Sequence, residues 1–315
     1  MAVLGGIHVP SLTFFKNDTR QEIDWDIQKK HFEFLISSGL HGSWFSKSFI
    51  YIIDVMAPNL KIKEKTQLVE LAGKTAQRLG RADIPIALGC GAGCTRDVID
   101  QTIEAKAAGA NAALVLVPSY FHFAMDAAAI IAFFEEVADA SPIPIIIYNF
   151  PSVVAGLEVN SEMLEILGRH KNIVGVKLTC GGIAKVCRVA AVFNRSEFCA
   201  LAGQSDWLIP ALAVGGTGCI TGVANLFPQT CVKLYNLYQS GKMEEAQALQ
   251  KKVAVAEWGF AKCGINGTKW VVAKKLGYPE DSAHCRRPYP KYSSEEKKTW
   301  LFNQVSTLDA VEQGL

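Results

Sequence analysis

Two residues in the middle of this chain have the types and the setting for chemistry on a carbonyl. Lys177 stands inside the apolar run IVGVKLT, and Tyr148 stands near the end of IPIIIYN. An amine inside a strand buried on both faces must lose its hydration shell or find a partner, and lysines are seldom buried without a reason. Desolvation disfavours the charged form of an amine, which makes it a better nucleophile near neutral pH. A phenol beside it can carry protons during imine formation and carbon–carbon cleavage. The plainer readings are a strand-end lysine that snorkels to solvent and a half-buried tyrosine with its hydroxyl satisfied. Position alone does not separate the two.

The elements that would hold this pair alternate regularly. Short apolar, β-branched runs at 3–9, 84–89, 113–117, 143–149 and 173–179, with weaker ones at 197–202 and 218–222, read as strands. Helical patterns at 26–38, 97–108, 127–139, 161–169 and 183–194 lie between them. The runs are continuous rather than alternating in polarity, as expected of parallel strands covered on both faces. The repeat has the size of a βαβ step, and these seven runs, with 49–55 open as an eighth, favour a closed (β/α)8 TIM barrel over an open sheet. After Pro228 the strand signal stops, and 233–240, 243–260, 268–276 and 294–308 read as helices, with Ser293 as a start signal for the last. The expected division is a barrel over 1–227, then the last barrel helix and a C-terminal helical appendage over 228–315. The segment 277–291 carries three prolines and reads as a connector.

Composition excludes several classes of function. The chain has 315 residues, half of them hydrophobic, and its 32 basic and 30 acidic side chains nearly cancel. That balance gives no case for nucleic acid or an anionic membrane surface, and no apolar run reaches the ~20 residues of a bilayer span. The start, MAVLGGIHVP, reads as a first strand rather than a targeting peptide. Nine scattered cysteines without a spacing pattern point to reduced thiols and a cytoplasmic protein. Six histidines form neither HxH nor HExxH, so a zinc site is not expected.

Tyr148-Asn-Phe-Pro151 followed one βα unit later by Gly175-Val-Lys177 resembles the dihydrodipicolinate synthase/N-acetylneuraminate lyase family of class I pyruvate aldolases. Pro118-Ser-Tyr120 is similar to its element after strand four, Gly89-Cys-Gly91-Ala-Gly93 with Thr95 to its turn after strand three, and Gly218-Cys-Ile220 to its eighth-strand signature. The glycine-rich turn lacks the spacing of a dinucleotide fingerprint, and Thr95 as a helix cap is an equal reading. The resemblance implies that Lys177 forms an imine with a 2-oxo acid, that Tyr148 is the acid/base, and that Tyr120 enters a neighbouring subunit's site. It implies a homodimer or homotetramer, with Gly218 and Ile220 bordering the pyruvyl group. Thr179 matches the KxT of sugar-acid lyases, and Gly203-Gln-Ser205-Asp206 falls where such enzymes contact a hydroxylated tail.

Dihydrodipicolinate synthases carry an arginine for the second substrate's carboxylate where this chain has Val153, so condensation with aspartate semialdehyde is not expected. SVVAG, Gly264-Ile-Asn-Gly267 and Cys285-Arg-Arg-Pro288 resemble eukaryotic members, namely fungal 2-keto-3-deoxy-L-galactonate aldolases and 4-hydroxy-2-oxoglutarate aldolases. The first implies reversible cleavage of a 3-deoxy-2-keto sugar acid to pyruvate and glyceraldehyde, with the imine as electron sink and no metal or organic cofactor. One departure stands out. The family's Gly-Thr-(Thr or Asn)-Gly-Glu loop after strand two, which relays protons and holds the pyruvyl carboxylate, has no match in SWFSKSFIYIIDVMAPNL at 43–60. The run 49–55 has strand propensity and could fill the second barrel position, with Ser46 and Ser48 on the wrong side of it. Two other readings stay open: an impaired member that keeps the fold without turnover, and a barrel binding a phosphorylated ligand at its last two loops.

Overall fold

The computed structural model describes residues 5–40, 51–53, 60–91 and 93–315. Among these, eight strands run β1 (Gly6–Pro10), β2 (Tyr51–Ile53), β3 (Ile86–Cys90), β4 (Ala112–Leu116), β5 (Ile145–Asn149), β6 (Ile173–Leu178), β7 (Cys199–Ala202) and β8 (Gly218–Ile220). The helices between them are α1 (Trp25–Ser37), α2 (Ile62–Arg78), α3 (Thr95–Ala107), α4 (Ala127–Ala140), α5 (Ser161–Leu167), α6 (Ile183–Val192) and α7 (Leu208–Ala213). The chain then continues through α8 (Pro228–Gln239), α9 (Met243–Leu276), α10 (Glu295–Ser306) and α11 (Asp309–Gln313). All strand pairs are parallel, and β8 closes on β1, so the sheet is the expected closed (β/α)8 barrel.

Residues 51–53 of the expected run 49–55 form β2, which pairs with Val9 and Pro10 on one side and with Ile86–Leu88 on the other, and the rest of the run lies outside the described residues. Ser46 and Ser48 lie outside the described residues. Of the expected first strand 3–9, residues 6–9 fall in β1, and 3 and 4 lie outside the described residues. Gly6 N–H donates to the Thr217 carbonyl and Gly6 pairs with Gly218, which closes the barrel.

Strand alternation divides the core in two. Ala87, Ala112, Leu114, Ile146, Leu201 and Ile220 fill the barrel interior, with Tyr148 and Val174 packed against them. The residues between, such as Val115, Ile147, Val176 and Leu178, face the helices. Lys177 sits between two outward-facing residues and therefore points inward.

Local signals fix most helix starts. Asp24, Asp126, Asn160 and Ser294 each accept a hydrogen bond from a first-turn N–H of α1, α4, α5 and α10. Two expected caps are displaced by one residue. Ser294 rather than Ser293 caps α10, and Thr95 is the first residue of α3 behind Cys94. The two helices expected at 243–260 and 268–276 form one long α9 with a non-helical break at Gly264.

Candidate active site

β5 and β6 pair in a register that sets Tyr148 directly beside Lys177 at the C-terminal end of the barrel. Lys177 is only 5% exposed. Its Nζ lies 4.1 Å from the centroid of the Tyr148 ring, a separation at which a ring face attracts a cation. Phe150 stacks on Tyr148 with centroids 5.5 Å apart and planes 28° from parallel, which fixes the phenol's plane. The residue between them, Asn149, is structural. Its side-chain oxygen accepts from Val159 N–H at 2.9 Å, and its carbonyl accepts from Thr179 N–H at 3.0 Å. The chain can thus turn out of β5 without loosening the pair.

The pair opens into a cavity of about 450 Å³. Strand ends supply one wall with Tyr148, Lys177, Gly203, Gln204 and Ile220. The other wall comes from α9 with Glu257, Phe260, Ala261, Gly264, Ile265 and Thr268. Val153 reaches the same cavity and is 54% exposed. Among the described residues that line it, Lys177 is the one cation and Glu257 the one anion.

The expected site residues do not all fall on that wall. Lys177, Tyr148, Gly203 and Ile220 line the cavity. Gly203 has a structural reason as well, since a Cβ there would lie 2.3 Å from Thr179 Oγ1. Thr179 stands behind it with its hydroxyl oxygen buried and without a hydrogen-bond partner. Gly218 does not border the cavity. It starts β8, and a Cβ there would lie 1.9 Å from the Gly6 carbonyl oxygen, so its type is dictated by barrel closure. Ser205 is also off the wall, fully buried and engaged with Glu257. Asp206 lies beyond it. Burial, and then the negative charge of Glu257, push its carboxyl up to about 6. Tyr120 is 82% exposed and packs edge-on against Phe121, away from the cavity of its own barrel.

Two features escaped the sequence reading. Glu257, at 3% exposure, accepts at Oε2 from Ser205 N–H (2.9 Å), Ser205 Oγ (2.6 Å) and Thr221 Oγ1 (2.8 Å). Asn225 ties the loop after β8 to that after β1. It accepts from Leu12 N–H at 3.0 Å, donates to the Pro10 carbonyl at 2.9 Å, and meets His31 Nε2 at 3.0 Å. Because the Asn225 oxygen only accepts, that imidazole nitrogen carries the proton. Burial pushes the His31 pKa down to about 4. Among the described residues, no group of three or more His, Cys, Asp or Glu could hold a metal ion. No helix there is long and apolar enough to cross a membrane.

Fold and site together define a (β/α)8-barrel protein with a buried lysine–tyrosine pair at the C-terminal ends of adjacent strands. The chain belongs to the dihydrodipicolinate synthetase family, whose sequence profile matches residues 4–306. A Coccidioides immitis protein with a provisional name as a mitochondrial 4-hydroxy-2-oxoglutarate aldolase is 38% identical, over 98% of this chain and 97% of its own. The L-threo-3-deoxy-hexylosonate aldolase of Hypocrea jecorina is 37% identical over 98% of this chain and 94% of its own. The solved structure of a dihydrodipicolinate synthase family protein from Coccidioides immitis superposes with a TM-score of 0.86 at 36% identity, covering 100% of this chain and 98% of that one.

Proposed function

We propose that the protein is a Schiff-base-forming aldolase that reversibly cleaves a 2-keto-3-deoxy sugar acid to pyruvate and glyceraldehyde. The observation that carries this reading is the buried Lys177 amine on the Tyr148 ring, facing a cavity large enough for a six-carbon acid. Relatives named as aldolases of this kind support it. Lys177 attacks C2 of the substrate, and water leaves as the imine forms. Loss of the proton from the C4 hydroxyl breaks the C3–C4 bond, and the electron pair moves through C3 into the imine to give an enamine. The aldehyde departs, C3 is protonated, and hydrolysis returns pyruvate and the free amine. Tyr148 is the proton carrier closest to these steps.

Ile220 borders the pyruvyl group in this reading, and Thr179, with its unpartnered hydroxyl oxygen behind Gly203, supports the bound acid. Neither metal nor organic cofactor takes part. Tyr120, Phe121 and Phe123, all strongly exposed and mutually packed, offer an aromatic surface to a second copy. A homodimer or homotetramer would bring Tyr120 into the neighbouring cavity. The nine scattered cysteines, without a spacing pattern, fit a reducing compartment. That is the cytoplasm in our reading, although two relatives carry a mitochondrial label.

The test is pyruvate release from a 2-keto-3-deoxy-hexonate, followed by coupled reduction to lactate. Wild type should turn over and Lys177→Met should not. Equal turnover by a folded Lys177→Met protein would reject the mechanism.

A further inference from the structure

We infer that Glu257, supplied by α9 rather than by a barrel strand, selects the tail of the substrate. Its carboxylate accepts a hydrogen bond from a tail hydroxyl and keeps out a second carboxylate. The inference rests on the aldolase reading and narrows the substrate class of the same cavity to 2-oxo-3-deoxy acids with an uncharged, hydroxylated tail.

The side chain is held for this task. Oε2 is committed to Ser205 N–H, Ser205 Oγ and Thr221 Oγ1. Ser205 is itself braced by Gln250, which donates to its carbonyl at 2.8 Å and accepts from Ile209 N–H at 2.9 Å. No hydrogen bond reaches Oε1 within the described residues, and the residue lines the cavity. A nearly buried carboxylate with one oxygen saturated and the other facing a cavity is an acceptor awaiting a donor. Whatever completes it must bring a hydrogen. A hydroxyl does so, and an ionised carboxylate does not.

Charge points the same way. Among the described lining residues Lys177 is the one cation, and the reaction commits it to C2. A substrate with a second carboxylate, such as 4-hydroxy-2-oxoglutarate, carries that charge on the carbon beside C4, where the six-carbon acid carries a hydroxyl. There it would meet Glu257 with no cation to offset it, and Asp206 adds a second acidic group behind the wall. Like-charge juxtaposition of this kind is a strong device against the wrong ligand. Ser205 and Thr221 act through Glu257 and are positioning residues.

The experiment compares wild type, Glu257→Gln and Glu257→Asp. It reads kcat/KM for the six-carbon 2-oxo-3-deoxy acid and for 4-hydroxy-2-oxoglutarate, together with melting temperature. In wild type the six-carbon acid should be preferred. Gln keeps an acceptor for Ser205 but turns a neutral amide toward the cavity, so the preference should fall by on the order of 10–10²-fold, the scale of one charge-assisted hydrogen bond. Asp keeps the charge at a shorter reach, so the six-carbon acid should suffer while the dicarboxylate stays poor. An unchanged preference in folded Gln protein, or a dicarboxylate gain in the Asp protein, overturns the inference. Trapping of pyruvate on Lys177 by borohydride is read in parallel. If no adduct forms, the aldolase reading itself has failed. Calorimetric binding of the six-carbon acid and of 2-oxoglutarate then decides the role of Glu257 alone, and equal preference in wild type and Gln protein counts against it.

Discussion

The wall of the cavity that carries Lys177 and Tyr148 is made by strand ends, with that pair on two adjacent strands, whereas the wall that carries Glu257 is made by a helix that follows the barrel in the chain. In the first wall, backbone register brings the two functional groups together. In the second, a carboxylate is positioned by side chains, Ser205 and Thr221, with Gln250 bracing the loop. The strand wall is therefore rigid and fits bond breaking, which tolerates little displacement. The helix wall can be altered residue by residue without disturbing the strands. Reaction and selection are separable on this arrangement, and mutations on the two walls should have different signatures.

The largest effect is expected on the strand wall. Tyr148→Phe should keep the fold and lower kcat by on the order of 10²–10⁴, the usual contribution of a positioned acid/base. The loss should be similar for every substrate, as single-turnover kinetics on two acids would show. A loss confined to one acid would place Tyr148 among the selecting residues and erase the distinction.

The segment 43–60 bears on the same chemistry, because its sequence lacks the proton-relay loop that the family resemblance implies. Replacing it with a second strand and loop that contain Gly-Thr-Asn-Gly-Glu should raise kcat by on the order of 10²–10³, the cost of one missing donor at such a site. Borohydride trapping of pyruvate should change less. If the unaltered chain already matches the graft in turnover, its own residues supply the relay.

A smaller, substrate-dependent effect is expected at Val153. Placing a guanidinium there gives a second carboxylate the cation it lacks, so Val153→Arg should raise kcat/KM for 4-hydroxy-2-oxoglutarate about tenfold, one charged hydrogen bond. Wild type should show no condensation of pyruvate with aspartate semialdehyde, and efficient turnover of that pair would mean that another group replaces the arginine.

The smallest effect is in stability. The Asp206 carboxyl titrates near 6 in the folded protein, above its ordinary value of 3.8. The folded state therefore holds the extra proton between these values, and stability falls as pH rises through the window. Asp206→Asn lacks that loss. It should melt a few degrees above wild type at pH 7 and show no such gain at pH 3.5. His31, pushed down to about 4, works in the opposite sense, and its contribution disappears as pH falls from 6.5 toward 4. The difference between variant and wild type, rather than the wild-type curve, isolates Asp206. Because Glu257 helps to raise Asp206, the gain should shrink in a Glu257→Gln background. Full additivity would deny the coupling.

How far the sequence speaks differs between the walls. The barrel is legible because doubly covered strands are short continuous apolar runs, and Lys177 interrupts one of them. Tyr148 follows by register one unit away. Glu257 is not legible. It meets Ser205 across 52 residues, and in MEEAQALQKKVAVAEWGF nothing separates it from the exposed Glu244 and Glu245 of the same helix. Ser205 and Asp206 read as a polar loop, yet the direction of their side chains depends on α9, which local pattern does not place. Gly218 stands at the pyruvyl group only by family resemblance, and it is the Gly6 backbone beside it that requires a glycine there. The short α7, six residues around Pro210, left no periodic signal at all.

The chemistry rests on Lys177, and one measurement addresses it directly. Wild-type protein is mixed with pyruvate, reduced with borohydride, digested and mapped by mass spectrometry. The expected result is one reduced pyruvyl adduct on the peptide carrying Lys177, absent from Lys177→Met. Of the three other buried lysines among the described residues, Lys65, Lys185 and Lys269, burial pushes the pKa of Lys269 down to about 7. It lies over the Phe15 ring, donates to the His284 carbonyl and does not line the cavity, so it should remain unmodified. An adduct on Lys269, or none anywhere in folded protein, would contradict the assignment of Lys177 as the reacting amine.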